Sequence, residues 1–351
     1  MLAPVRHILP VTTIQRERLL PMPGRVVVRR GQKVNPRDAV AETHLAPEHI
    51  ILDVARGLGL GSSGINEYIQ CEAGEQVSEG DIIAGPVGMA RRVVRAPHSG
   101  CVILIRDGKV LFEIESPPFV LRAGLPGVVS SLIPDRGVII EGTGALIQGV
   151  WGNGRVDYGL LHVLAKMPDD LLTPDHLDET MRGSVILAGF CGEAEVFKAA
   201  GELPLRGLIL SSMASSLIPV AVIMEYPIII MEGFGLLPMN SAAFKLLTTS
   251  DQREVALNAE AFDKFANTRP EIVIPLPTED HAPEPRESLK FSPDQHVLIV
   301  RAPYQSQIGT IIALRQGIKV LPSNVRAPAA EISLESGETV VLPLANLEVL
   351  A

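Results

Sequence analysis

Apolar and polar residues alternate in short runs along most of this chain, and glycine, proline, asparagine or aspartate closes nearly every run. The run 92–105 is followed by Asp107-Gly108 and the run 109–114, and Asp-Gly between two alternating apolar runs is a hairpin signal. The string GQKVNPRDAVA (31–41) returns as GEQVSEGDIIA (74–84), each copy reading as strand, Asp-containing turn, strand. Between the copies, 49–57 (HIILDVARG) and 65–69 predict a short helical insertion.

The period changes in the middle of the chain. A strand over 182–188 is followed by a helical segment at 193–200, a strand at 208–211, a second helical segment at 215–224 and a strand at 228–231. That order implies a small parallel sheet with right-handed crossovers. The core Ile228-Ile229-Ile230 suits a strand buried on both faces. A final strand is expected within 268–277. The polar stretch TEDHAPEPRES (278–288) reads as an exposed linker. Beyond it, VLIV, GTIIAL, AEISL, GETVVLPL and NLEVL predict five strands, with Ser336-Gly337 and Gln316-Gly317 as turns.

Composition narrows the picture. With 351 residues, 46% of them hydrophobic, the chain can build two or three buried cores, and 20% charged residues argue against general disorder. At 4% aromatics, stacking platforms for single-stranded nucleic acid are not expected. The net charge of −9 is uneven, since residues 1–41 carry eight Lys or Arg against Glu17 and Asp38. This basic segment either offers Arg25, Arg29, Arg30, Lys33 and Arg37 to an anionic partner or packs on its own acidic body, the second being favoured. Three scattered cysteines, Cys71, Cys101 and Cys191, form no metal-ligand or disulfide pattern and fit a reducing cytoplasm. The N-terminus lacks a leader-like apolar run. The apolar stretch 208–231 contains Pro219, Glu225 and Pro227, and is expected to be core instead of a membrane span.

Candidate chemistry is sparse. The glycine-rich 141–154 matches neither GxGxxG nor GxxxxGK[ST], so turns and close backbone approach account for it. Ser211, Ser212, Ser215 and Ser216 cluster before a predicted helix, where they either bind a small anion or cap the helix through Ser212 or Ser215. Glu225 and Glu232 are conceivable as an acid pair, with no geometry fixed by their spacing. No Ser-His-Asp, Cys-His or HExxH arrangement can be assembled, and His162 and His176 read as surface residues.

Three resemblances follow from these residues. GEQVSEGDIIA followed by VVRAPHSGCVILI resembles the barrel-sandwich hybrid of biotinyl and lipoyl carriers, over about residues 20–114 if both echoes supply halves of the sandwich. The carrier function does not follow, because 84–92 (AGPVGMARR) holds no lysine where the carrier hairpin needs one, and arginine stays protonated. Residues 207–235 resemble the strand–loop–helix–strand of a swivelling β/β/α domain, without the active histidine such domains use. The C-terminal order V-x-I-V-R-A-P-Y304 with Gly309-Thr-Ile-Ile resembles a KOW-type SH3-like barrel, with Tyr304 and Gly309 on its expected interaction surface and Ser306 where glycine is commoner. Its residues 290–351 balance five Lys or Arg against five Asp or Glu, so the module favours protein over RNA.

The sequence therefore predicts a mostly β, multi-domain protein with one α/β domain: a basic segment (1–19), an unmodified barrel-sandwich hybrid (20–125), an α/β domain (126–277), a linker (278–289) and a KOW-like barrel (290–351). The expected function is a non-catalytic adaptor that binds a protein partner, with no cofactor, metal or membrane. The alternatives are a transcription- or translation-associated nucleic-acid binder using residues 1–41, and an anion sensor or enzyme at the serine loop.

Overall fold

The computed structural model describes residues 2–351 apart from 46, 62–63, 264–267, 277–281, 287 and 322–323. It is mostly β and divides into a larger unit (1–19, 27–40 and 122–351) and a smaller one (20–26 and 41–121).

In chain order, the larger unit begins with the short strands Leu2–Ala3 and Val5–Arg6, followed by β1 (Ile8–Leu19). The smaller unit contains β2 (Glu48–Asp53), α1 (Val54–Leu58), the hairpin β3 (Ile82–Val87) and β4 (Arg92–Arg95), and the hairpin β5 (Gly100–Arg106) and β6 (Lys109–Ile114). A four-stranded antiparallel sheet runs β2, β6, β5 and the short strand Gln76–Val77. One face buries Val102, Val110 and Phe112 with Ile83, Val54 and Leu58. Of residues 49–57, expected to be helical, 49–53 form a strand instead, as part of Glu48–Asp53. Six paired residues, from Asp53 opposite Lys109 to Glu48 opposite Ile114, hold this segment on β6, and the helix starts only at Val54 with Asp53 as its cap.

The larger unit continues with β7 (Gly127–Ile133), β8 (Gly137–Gln148), β9 (Val156–Val163), β10 (Ser184–Cys191), α2 (Ala194–Glu202), β11 (Gly207–Met213), α3 (Ile218–Ile223), β12 (Ile228–Phe234), α4 (Ser241–Thr248), β13 (Glu254–Asn258) and β14 (Glu271–Pro275). Strands β9, β10, β11 and β12 are parallel neighbours in that order. Across β9 the same sheet turns antiparallel through β13, β14, β8 and β7. The alternation of side chains decides the two cores. Leu208, Leu210, Ile228 and Ile230 face α2 and α3, whereas Ile209, Ile229 and Met231 face α4. Covering both faces is what allows the unbroken apolar runs of β11 and β12, so the two strand segments of the stretch 208–231 are core, while Val222 and Ile223 of α3 are exposed. Among the described residues no helix is long and apolar enough to cross a membrane.

The last strands are β15 (His296–Ile299), β16 (Ile308–Leu314), β17 (Ala329–Leu334), β18 (Thr339–Pro343) and β19 (Leu347–Leu350). All five C-terminal strands expected from the pattern are present. Their sheet gains a sixth from the other end of the chain, because Val5–Arg6 pairs in parallel with β19. The N-terminal residues are thus part of this sheet, while β1 runs along β8 from Ile8 to Leu19. Of the expected linker, 278–281 and 287 lie outside the described residues. The backbone of 282–286 accepts hydrogen bonds from Thr12, Thr13 and His7 on or beside β1.

The second sequence echo lies in the smaller unit, whereas the first lies in the larger unit up to Val40, and the two share one local design. Gly31 and Gly74 both sit in the left-handed region, at φ 80 and 90. Asp38 and Asp81 each accept, at 2.8 Å, from the backbone N–H three residues earlier. Val34 pairs with Gly127 and Val77 with Gly100, and Ala123 and Ala96 donate to the carbonyls of Asp38 and Asp81 at 2.9 Å. The signal that extends the echo is Arg95-Ala96-x-x-x-Gly100-x-Val102 against Arg122-Ala123-x-x-x-Gly127-x-Val129. Both glycines permit close strand approach, since a Cβ would lie 2.0 Å from the Glu113 carbonyl at Gly100 and 2.4 Å from that of Glu141 at Gly127. Gly100→Ala should therefore lower stability by about 1–3 kcal/mol, read as a fall in the denaturant midpoint at unchanged slope.

Candidate functional site

The four serines do not form one loop. Ser211 and Ser212 are fully buried residues of β11, and the Ser212 hydroxyl donates to the Leu237 carbonyl at 2.9 Å and accepts from Leu237 N–H at 3.1 Å. Ser215 and Ser216 lie beyond the strand in a short 3-10 turn. Neither Ser212 nor Ser215 caps the helix, since α3 starts from Leu217 with no side-chain cap. Two of the four hydroxyls are sealed in the sheet, one of them spent on the β12–α4 connection, so Ser211 and Ser212 are not presented with Ser215 and Ser216 as one surface loop.

The N-terminal cations are largely taken up within the chain. Arg6 pairs with Glu348 and Glu232, Arg16 with Glu271, Arg18 with Glu260, Arg25 with Glu42, and Arg37 with Asp157. Arg29, Arg30 and Lys33 are exposed. Arg25 belongs to the smaller unit and the others to the larger, so the expected basic surface is not one patch within either unit. Tyr304 packs on the C-terminal core, and its hydroxyl donates to Glu338 at 3.1 Å. Gly309 lies within β16, where a Cβ would meet Ile332 at 2.5 Å, so it serves strand packing. Glu225 is exposed and Glu232 buried, with no contact between them.

What spacing did not show is a buried charge network in the larger unit. Arg6 Nε donates to Glu348 at 2.7 Å and Arg269 Nη2 to its other oxygen at 2.9 Å. Arg6 Nη1 lies 3.5 Å from Glu232 and donates to the Met231 carbonyl at 3.2 Å. Glu232 also accepts from the backbone and side-chain N–H groups of Asn240, the residue that caps α4. Burial pushes the Glu232 carboxyl above its ordinary range, against Arg6 and Asn240, which pull it down. Burial acts the same way on Glu348, but there Arg6 and Arg269 together outweigh it and hold the carboxyl low. The network joins the Val5–Arg6 strand, β12 and β19, and its carboxylates are held by its own guanidiniums and by Asn240, so it reads as structural.

An exposed apolar row lies on the smaller unit. The register sets Ile51 of β2 opposite Leu111 of β6, and Leu111 opposite Leu104 of β5. These three share the face turned away from the core, and Ile51 is 66% and Leu104 51% exposed. Ile103, at the bulge beside Leu104, is exposed as well. The row is bordered on one side by His49 and Glu113, which pair at 3.2 Å, and on the other by Asp53, Lys109 and Arg106. An apolar centre between polar rows of both signs is the anatomy of a protein contact surface. The tip of the β3–β4 hairpin presents a fully exposed Met89 between Gly88 and Arg91, both at positive φ.

Among the described residues no group of three or more His, Cys, Asp or Glu is placed to hold a metal ion. The three cysteines are free, and burial pushes the Cys191 thiol up to about 11. No protein-family model matches the chain, and no curated protein matches it significantly.

Proposed function

We propose that this chain is a non-catalytic adaptor that docks a partner protein on the outer face of β2, β6 and β5. The observation that carries this reading is the Ile51–Leu111–Leu104 row with its polar borders. Single exposed apolar side chains are ordinary, but a contiguous row across three strands stabilises a complex when covered and costs solubility when not. The occupant is a different protein with an apolar centre and charges of both signs at its rim. A second copy of this chain would instead give a concentration-dependent dimer.

The smaller unit is read as an unmodified barrel-sandwich hybrid. Its support is the hairpin that carries Met89 in place of lysine and the A-P-x-S-G turn leading into β5. The C-terminal sheet is read as a KOW-type SH3-like barrel, on the strand order and on Tyr304 and Gly309. Cytoplasmic residence is supported by the free thiols Cys71 and Cys101. The test is affinity isolation of the tagged chain with and without nuclease. A nuclease-resistant protein partner at fixed stoichiometry supports the reading. Recovery of the chain alone, or only of itself, contradicts it.

Binding to nucleic acid through residues 1–41 makes a separate, quantitative prediction. With Arg6, Arg16, Arg18, Arg25 and Arg37 held by carboxylates, Arg29, Arg30 and Lys33 are left to meet phosphates. Affinity for duplex DNA should then fall with salt at a log–log slope no steeper than about −2.7. A slope of about −7 would show the whole basic segment engaged.

A further inference from the structure

Strand β2 is the edge of the four-stranded sheet in the smaller unit, and its six residues pair with β6 without a bulge. Val54 N–H donates to the Gly108 carbonyl at 3.0 Å, which fixes the phase of this antiparallel ladder. Ile50 and Leu52 therefore exchange their backbone hydrogen bonds with β6, while His49 and Ile51 turn both N–H and C=O outward. Among the described residues nothing bonds to these four outward groups. Natural sheets blunt such edges with Lys, Pro or a bulge, and 49–53 (HIILD) has none of these.

The side chains of this edge are open in the same way. Ile50 and Leu52 pack toward the core yet are only partly buried, and Ile51 on the outer face is 66% exposed. One further strand beside β2 would cover all three and pair the outward backbone groups, which a partner lying flat on the outer face does not do. Charge then selects the strand. Residues 43–55 carry Glu48 and Asp53 and no Lys or Arg. A cavity of about 640 Å³ in the same unit, whose walls include Leu45, Pro47, Glu113, Ile114, Glu115 and Pro117, adds two carboxylates and again no Lys or Arg. Ile114 is the residue opposite Glu48, so this cavity lies at the Glu48 end of the edge. Glu113 meets His49 there, and Glu48 and Glu115 are exposed.

We propose that the partner protein adds an extended segment to the free edge of β2 as a fifth strand, with an apolar residue beside Ile51 and a Lys or Arg among Glu48, Glu113 and Glu115. The proposal rests on the adaptor reading above and names how the partner pairs. Two copies of this chain would bring the same carboxylates edge to edge, so the cationic segment belongs to a different protein.

The probes are the peptide Lys-Val-Thr-Val-Thr-Val-Lys, which brings a lysine to the Glu48 end in either strand direction, and the same peptide with Glu for both Lys. Each is titrated against the full chain. The expected result is saturable binding of the Lys peptide, at least about tenfold tighter than that of the Glu peptide and weakened by salt. Amide exchange at His49 and Ile51 should slow on saturation. His49→Pro removes one outward N–H and no bond to β6, and His49→Ala removes only the side chain. Proline should weaken binding at least about tenfold and alanine less than about threefold. Should His49→Pro fail to fold, amide exchange in the unaltered chain carries the test. Failure of the Lys peptide to bind, equal affinity for the Glu peptide, unchanged exchange at His49 and Ile51, unchanged affinity in folded His49→Pro, or a dimer that His49→Pro abolishes would overturn the proposal. Partner capture that survives His49→Pro but not Ile51→Asp with Leu104→Asp would overturn the strand pairing and leave the face reading standing. Capture that survives both would remove both.

Discussion

Glu348→Gln should lower the unfolding free energy by about 3–5 kcal/mol, the usual cost of removing one partner from a buried ion pair. Its carboxylate holds Arg6 and Arg269 at once, and the substitution leaves two nearly buried guanidiniums short of charge. Glu232→Gln should cost far less. Its Oε1 acceptor for Asn240 survives, and the group removed is one that burial already disfavours in charged form. The pH dependence separates the two. Glu348 is held low in the folded chain, so its contribution is complete above the ordinary carboxylate range and disappears as pH falls through its folded value. The penalty of Glu348→Gln should accordingly shrink in acid. Glu232 is raised, so its contribution is full below the ordinary carboxylate range and is lost as pH rises through its folded value. Glu232→Gln should flatten that loss. Denaturant melts of both variants between acid and neutral pH check these signs, and equal penalties at neutral pH would contradict them.

The second large effect concerns binding. The double variant Ile51→Asp, Leu104→Asp should weaken partner capture by about thirtyfold or more, since truncation at the centre of an interface costs upward of 2 kcal/mol and each new carboxylate must also be desolvated. Stability should move by no more than about 0.5 kcal/mol per site, because both side chains already face solvent. That contrast keeps the test clean: the fold survives and the contact does not. Asp107→Asn, on the turn between β5 and β6 and beyond the apolar row, serves as the exposed control. Retained capture in the folded double variant would remove this face from the account.

How far the sequence could be read depended on burial geometry. The parallel strands and their helices were legible because a sheet covered on both faces needs unbroken apolar runs, and 184–191, 207–213 and 228–234 supply them. The five C-terminal strands were legible from alternation and turn residues. Residues 48–53 misled because Ile50 and Leu52 pack inward while Ile51 faces out, which erases the alternation that marks a strand. The same departure conceals the candidate contact face. The serines misled through composition: hydroxyls suggest a loop, yet in β11 two of them are buried, and Ser212 bonds to the Leu237 backbone. The charge network was not legible at all. Arg6, Glu232, Arg269 and Glu348 are scattered along the chain, and only the pairing of the Val5–Arg6 strand with β19 brings them together. The basic segment had two readings, and the ion pairs of Arg6, Arg16, Arg18 and Arg37 favour packing on the chain's own carboxylates.

The most direct measurement is site-specific photo-crosslinking in living cells, with a photoreactive residue placed at Leu104 and, as control, at exposed Glu67 on the same unit. The account predicts a discrete crosslink to one other protein from position 104, competed by excess unmodified chain and absent from position 67. Crosslinks only to a second copy of this chain, or none from position 104 while position 67 captures the same proteins, would contradict it.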